Sequence, residues 1–167
     1  EAFSFLQSKN LYTVDDLDNA LHAMQDKIDT LKKSASSKQA RIKEVDELLR
    51  MVDYYKSGKP AADKLKFIRF EKSRQKYKAE HNNELRTFYM AERKLKPYFK
   101  DGKLPITAWR REQEQLEQEY RDIQTELSPL HADVKKLWAI HYNIYEVQHE
   151  QERQNTELRQ KKQEIEH

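Results

Sequence analysis

Leu17, Leu21, Met24, Ile28, Leu31, Ala35, Lys38, Ile42, Val45, Leu49 and Val52 follow one another at steps of four and three residues without a slip. Only Lys38 departs from the apolar rule. A repeat of 3.5 residues held for about five heptads marks a helix that buries one narrow stripe along a partner helix. A sheet would need alternation with period two, and a buried helix would be apolar all round. This stripe therefore commits the first third of the chain to paired helices.

A second stripe occupies the last third: Leu116, Tyr120, Ile123, Leu127, Leu130, Val134, Leu137, His141 and Ile144. Its phase survives Pro129. A proline that ended the helix would leave no reason for the phase to carry across, so one kinked helix from about residue 106 to the end is predicted. Two stripes of similar length around a compact insert imply folding back, with residue 17 near 144, 28 near 134 and 42 near 120. The expected fold is all-α, a long antiparallel coiled-coil hairpin with a small helical lobe inserted at the tip. Pairing of the two helices between molecules is the alternative.

The local signals set boundaries. Thr13-Val14-Asp15-Asp16 reads as a helix start, with Thr13 as cap and an aspartate where a capping box usually holds glutamate. Ser57-Gly58-Lys59-Pro60 reads as a stop. Residues 61–80 are helical in pattern, with Leu65, Ile68, Phe67 and Phe70 assigned to the inner face. His81-Asn82-Asn83 reads as a break capped by Asn82 or Asn83. Leu85, Phe88, Tyr89, Met90, Ala91 and Leu95 mark another short helix, and Pro97 with Asp101-Gly102-Lys103-Leu104-Pro105 a loop. The organisation is thus a short N-terminal helix (1–12), a first coiled-coil helix (13–55), a basic aromatic helical lobe (56–105), a second coiled-coil helix (106–147) and a polar helical tail (148–167). In the tail the stripe positions become Gln148, Gln151, Asn155, Leu158 and Lys162, which suits a solvated helix end, a weak dimer contact or a frayed terminus. The opening glutamate, inside an amphipathic segment, suggests a fragment of something larger.

The chemistry is sparse. Two glycines, Gly58 and Gly102, cannot build a phosphate loop. The six histidines show no metal-ligand spacing, and there is no cysteine for a thiolate site or a disulfide, which fits a reducing, cytoplasmic setting. No metal, cofactor or catalytic residue is predicted, and no membrane span. Tyr54-Tyr55 is assigned to packing rather than nucleophilic chemistry. Net charge is only +3, but residues 56–104 hold 15 Lys/Arg against 6 Asp/Glu, while both flanks are net acidic. In this middle third run Lys64, Lys66, Arg69, Lys72, Arg74, Lys76, Lys78 and Arg86, interleaved with aromatic residues, ten of the 17 lying in 54–109. Cations neutralise phosphates, and exposed rings can stack unpaired bases. The same aromatics could equally form the lobe's own core, with the lysines a solvated face.

The order of segments carries a resemblance. A "TVDDLDNAL" helix start, a heptad helix ending in "DELLRMVDYYKSG", a short basic-aromatic lobe and then "KLPITAWRREQEQLEQEYRDIQTEL" resemble the C-terminal helical region of relaxases, the mobilisation nucleases of conjugative and mobilisable elements. The resemblance covers about residues 5–147. It implies an accessory, non-catalytic region of a DNA-mobilisation protein, with the histidine-cluster nuclease upstream of Glu1. Candidate partners are single-stranded DNA, transfer-complex proteins and a second copy of the chain. A structural coiled-coil spacer or protein-interaction module without DNA contact is the alternative.

Overall fold

The computed structural model describes all 167 residues. Five helices account for most of the chain: α1 (Ala2–Ser8), α2 (Val14–Phe67), α3 (Glu71–Glu80), α4 (Asn82–Leu95) and α5 (Ile106–Glu166), with a 3₁₀ turn over Lys96–Tyr98. There is no strand beyond an isolated bridge between Lys100 and Lys103. The fold is an all-α helical hairpin in which α2 packs against α5. The chain divides into two compact units: Glu1–Ser34 with Asp122–His167, and Ala35–Arg121.

In the first unit, α1 closes with a left-handed asparagine. Asn10 has φ 56°, its N–H reaches Gln7 O at 3.0 Å, and Leu11 N–H reaches Leu6 O at 2.9 Å. This pair of bonds satisfies the carbonyls that a helix end leaves over. Helix α2 opens with a reciprocal cap. Thr13 Oγ1 accepts the Asp16 N–H at 3.0 Å, and Asp16 Oδ2 accepts the N–H groups of Tyr12 and Thr13, each at 3.1 Å. The shorter aspartate thus does the work expected of a glutamate. The stripe is buried on both helices: Leu17, Leu21 and Ile28 from α2, and Ile123, Leu127, Val134 and Leu137 from α5. Polar bridges fix the antiparallel sense, Asp18 to His141 at 3.0 Å and Lys27 to Glu126 at 3.2 Å. Helix α1 is tied to α5 by Lys9–Asp133 at 2.7 Å and by Lys136 Nζ, 5.1 Å from the Phe5 ring centroid. Helix α5 runs through Pro129, and its residues from Tyr145 onward are exposed.

In the second unit the pairing is again antiparallel. Lys38, the one polar stripe residue, extends its ammonium to Glu119 Oε2 at 2.8 Å and leaves its methylenes along the seam. Arg41 meets Glu112 through two parallel bonds, Nε to Oε1 at 2.6 Å and Nη2 to Oε2 at 3.1 Å. Gln113 donates to Asp46. One apolar cluster joins Val45, Leu48, Met51 and Val52 of α2 to Ala91 and Leu95 of α4 and Trp109 of α5. A second joins Ala61, Ala62 and Leu65 of α2 to Leu85 and Phe88 of α4.

Two sequence expectations fail here. Ser57-Gly58-Lys59-Pro60 does not stop α2, which continues to Phe67. Gly58 serves a close approach instead. A Cβ on it would stand 2.5 Å from Phe88 Cβ and 2.9 Å from Glu84 O. The helix tolerates Pro60 because Ala61, Ala62 and Leu65 gain a buried face just beyond it. Neither asparagine caps α4; His81 holds the N-cap position without a side-chain hydrogen bond. Tyr55 packs as expected, stacked on Phe88 at 5.0 Å, whereas Tyr54 stays 38% exposed. The Lys100–Lys103 turn places Asp101 and Gly102 at φ 52° and 73°, the pairing that a tight two-residue hairpin turn requires.

Candidate nucleic-acid interface

The basic residues lie on the end of α2, the short break after it, α3 and the first turns of α4. Helix α2 ends at Phe67, and Phe70, in extended geometry (φ −83°, ψ 128°), is the N-cap of α3. The break leaves carbonyls without intrahelical donors, and one arginine takes them. Arg74 Nη1 donates to Leu65 O at 2.9 Å and Ile68 O at 3.2 Å, and its Nε lies 4.0 Å from Glu71. A cation is also the favourable charge at a helix C-terminus. Arg74 is therefore committed to the junction, half-buried, and is not a free contact for a ligand.

The other seven candidates are exposed. Lys64 Nζ sits 5.9 Å from the Tyr77 ring centroid, at the outer limit of a cation–π contact. Lys66, Arg69, Lys72, Lys76, Lys78 and Arg86 make no ion pair and no side-chain hydrogen bond. Lys72 and Lys76 are one turn apart on the face of α3 opposite Arg74 and Tyr77. Two of the nearby carboxylates are engaged elsewhere: Glu71 accepts from Gln75 at 2.8 Å and Asp63 lies 3.5 Å from Lys59.

The aromatics divide between buried and exposed positions. Phe88 and Trp109 are buried, and Tyr55, Tyr77 and Phe99 are half-buried around them. Phe67 and Phe70 are not on the inner face. They are 83% and 78% exposed, while Leu65 is buried and Ile68 half-buried. The reason is angular. Phe67 sits two residues past Leu65, about 200° round the helix, and Phe70 lies on extended backbone that points away from the cluster. The segment Phe67-Ile68-Arg69-Phe70 can bury only Ile68. That arithmetic was available in the sequence but needed the position of the helix end.

No group of three or more His, Cys, Asp or Glu side chains is placed to hold a metal ion. Three of the six histidines have partners within their own helix or junction: His22 meets Asp18 O at 2.8 Å, His149 meets the Tyr145 hydroxyl at 2.6 Å, and His81 lies against Tyr77 at 4.2 Å. A groove of about 250 Å³ between α2 and α4, lined by Tyr54, Ser57, Asn83, Glu84 and Thr87, carries one carboxylate and no cation. It does not extend the basic face. No helix is long and apolar enough to cross a membrane. In the first unit α5 exposes a row that the sequence reading passed over, Trp138, Tyr142 and Tyr145, spaced i, i+4, i+7 beside the buried stripe. No protein-family model, curated protein or solved structure matches the chain.

Proposed function

We propose that the chain is an accessory, non-catalytic helical region of a cytoplasmic DNA-mobilisation relaxase, and that its basic lobe contacts the transferred DNA or other transfer-complex proteins. The observation that carries the DNA contact is the set of six exposed cations, Lys66, Arg69, Lys72, Lys76, Lys78 and Arg86, that no carboxylate of the chain neutralises. Free cations on a rigid helical support are what a phosphate backbone exchanges its counterions for. The relaxase context rests on the order of the "TVDDLDNAL", "DELLRMVDYYKSG" and "KLPITAWRREQEQLEQEYRDIQTEL" segments. Fluorescence anisotropy with a labelled single-stranded oligonucleotide at several salt concentrations tests the DNA contact. Changing Lys66, Lys72 and Lys76 together to Gln is expected to flatten the dependence of log K on log salt by about two, near 0.7 per lost single-strand phosphate contact. An unchanged slope sinks the assignment of these residues.

A second reading, an interaction module that pairs with a second copy of the chain, has its own observation. Leu158 and Ile165 are 62% and 84% exposed and continue the heptad phase of Leu137 and Ile144. Light scattering at several concentrations decides it: a dimer that Leu158→Asp or Ile165→Asp dissociates supports this reading, and a concentration-independent monomer removes it.

A further inference from the structure

Phe67 and Phe70 are the most exposed aromatic side chains of the second unit, at 83% and 78%. An exposed Leu or Tyr is ordinary, but two neighbouring phenylalanines with no polar atom to present to water need an occupant. Their setting says which kind. Arg69 lies between them, Lys66 precedes them and Lys72 follows, and none of the three has an ion-pair partner. The local order along the chain is Lys66, Phe67, Ile68, Arg69, Phe70, Glu71, Lys72: three cations flank two rings, and the one carboxylate among them, Glu71, accepts a hydrogen bond from Gln75. The backbone carrying them is also fixed. Ile68 turns inward to the cluster of Ala61, Leu65 and Phe88, and Arg74 bonds the carbonyls of Leu65 and Ile68. The two rings are presented by a braced elbow rather than a loose loop, so little ordering entropy opposes binding.

We infer that this elbow is a base-stacking site for single-stranded nucleic acid, in which Phe67 and Phe70 each take the face of an unpaired base and Lys66, Arg69 and Lys72 take the phosphates between and beside them. The inference rests on the basic-lobe reading above and adds the two rings that distinguish an unpaired strand from a duplex. A strand alternates flat apolar bases with anionic phosphates, and the elbow sets its two rings among three cations and one carboxylate, a net positive run. Duplex DNA offers the same phosphates but keeps its base faces stacked on each other, so it can use the cations and not the rings. A bilayer surface fits less well. Its insertion edge would have to carry Arg69 and Glu71 down with the rings, because both adjoin Phe70 in the chain and both are exposed.

The test compares three probes of about twelve nucleotides or base pairs on the full chain: labelled oligothymidine, an abasic strand with the same phosphate count, and a duplex. Oligothymidine is expected to bind about tenfold or more tighter than the abasic strand. Phe67→Ala/Phe70→Ala is expected to abolish that preference while leaving abasic-strand affinity and the salt slope unchanged. Phe67→Tyr/Phe70→Tyr is expected to keep the preference, since it keeps the rings. Both sites are exposed, so circular dichroism should report unchanged helicity in each variant. Equal binding of oligothymidine and the abasic strand overturns the stacking site and leaves the basic-lobe reading standing. Absence of binding to all three probes at low salt overturns both. Phenylalanine-dependent binding to phosphatidylserine vesicles, with no base preference among the oligonucleotides, reassigns the elbow to a membrane surface and overturns the inference.

Discussion

Single residues in this chain are decided by what stands opposite them. Gly58 lies mid-helix, where alanine would favour the helix by about 1 kcal/mol. Against that gain, the new methyl would meet Phe88 Cβ at 2.5 Å and a backbone carbonyl at 2.9 Å. Neither atom is the end of a flexible side chain, so α4 must move, and overpacking of this kind costs about 1–3 kcal/mol. Gly58→Ala is therefore expected to lower stability in a urea titration; a variant as stable as the parent would show that α4 yields freely. Arg74 is a second case. It sits within the basic run but acts on the α2–α3 junction through two carbonyls. Arg74→Gln should destabilise the chain by about 1 kcal/mol, the net worth of a partly solvated charge-assisted bond. Changing the free Lys76 to Gln should cost almost no stability, and thermal melts of the two variants side by side separate the junction role from a surface one.

At the scale of the elements, helix ends and helix interiors were legible to different degrees. The heptad stripes of α2 and α5 could be read directly, and so could the continuity of α5 through Pro129, because periodic burial leaves a phase that survives a local defect. The Thr13–Asp16 cap was legible for the same reason: cap chemistry is local. The end of α2 was not. Gly58 and Pro60 carry the signature of a stop, yet the helix continues because Ala61, Ala62 and Leu65 bury against α4, a partner some twenty residues away that no local rule can see. The exposure of Phe67 and Phe70 follows from that displaced end. Pro129 still exacts its local cost, since it offers no N–H to the turn before it and crowds that turn. It is exposed, so Pro129→Ala removes the defect without opening a cavity and should stabilise the chain by about 1–3 kcal/mol in chemical denaturation. A neutral result would mean that α5 has already relaxed around the proline.

Across the whole molecule, polar bridges complement the apolar stripes and give the chain an acid sensitivity. Hydrogen bonds from the Tyr12 N–H and from Thr13 hold the Asp16 carboxyl below its usual range. The Arg41 side chain does the same for Glu112, and Lys38 followed by Gln115 for Glu119. Depressed carboxylates bind protons more weakly folded than unfolded, so their contribution is complete above the ordinary carboxylate range and fades as pH falls below about 4. Denaturation midpoints should be flat from neutral pH down to that range and fall below it. A midpoint that rises on acidification would contradict the assignment. The individual effects are small, because Arg41 and Glu112 are 39% and 35% exposed and solvent screens them.

The sequence by itself determined that this chain is helical, that α2 and α5 each bury one stripe, and that its positive charge gathers in the middle third. Those properties are periodic or additive, so they can be counted without knowing what touches what. Only the tertiary structure decided where α2 ends, which arginine braces the junction, and that Phe67 and Phe70 are the aromatics of the lobe left most open to water. Each of those depends on a neighbour distant in sequence, and contact between distant residues is the information that a local pattern does not hold.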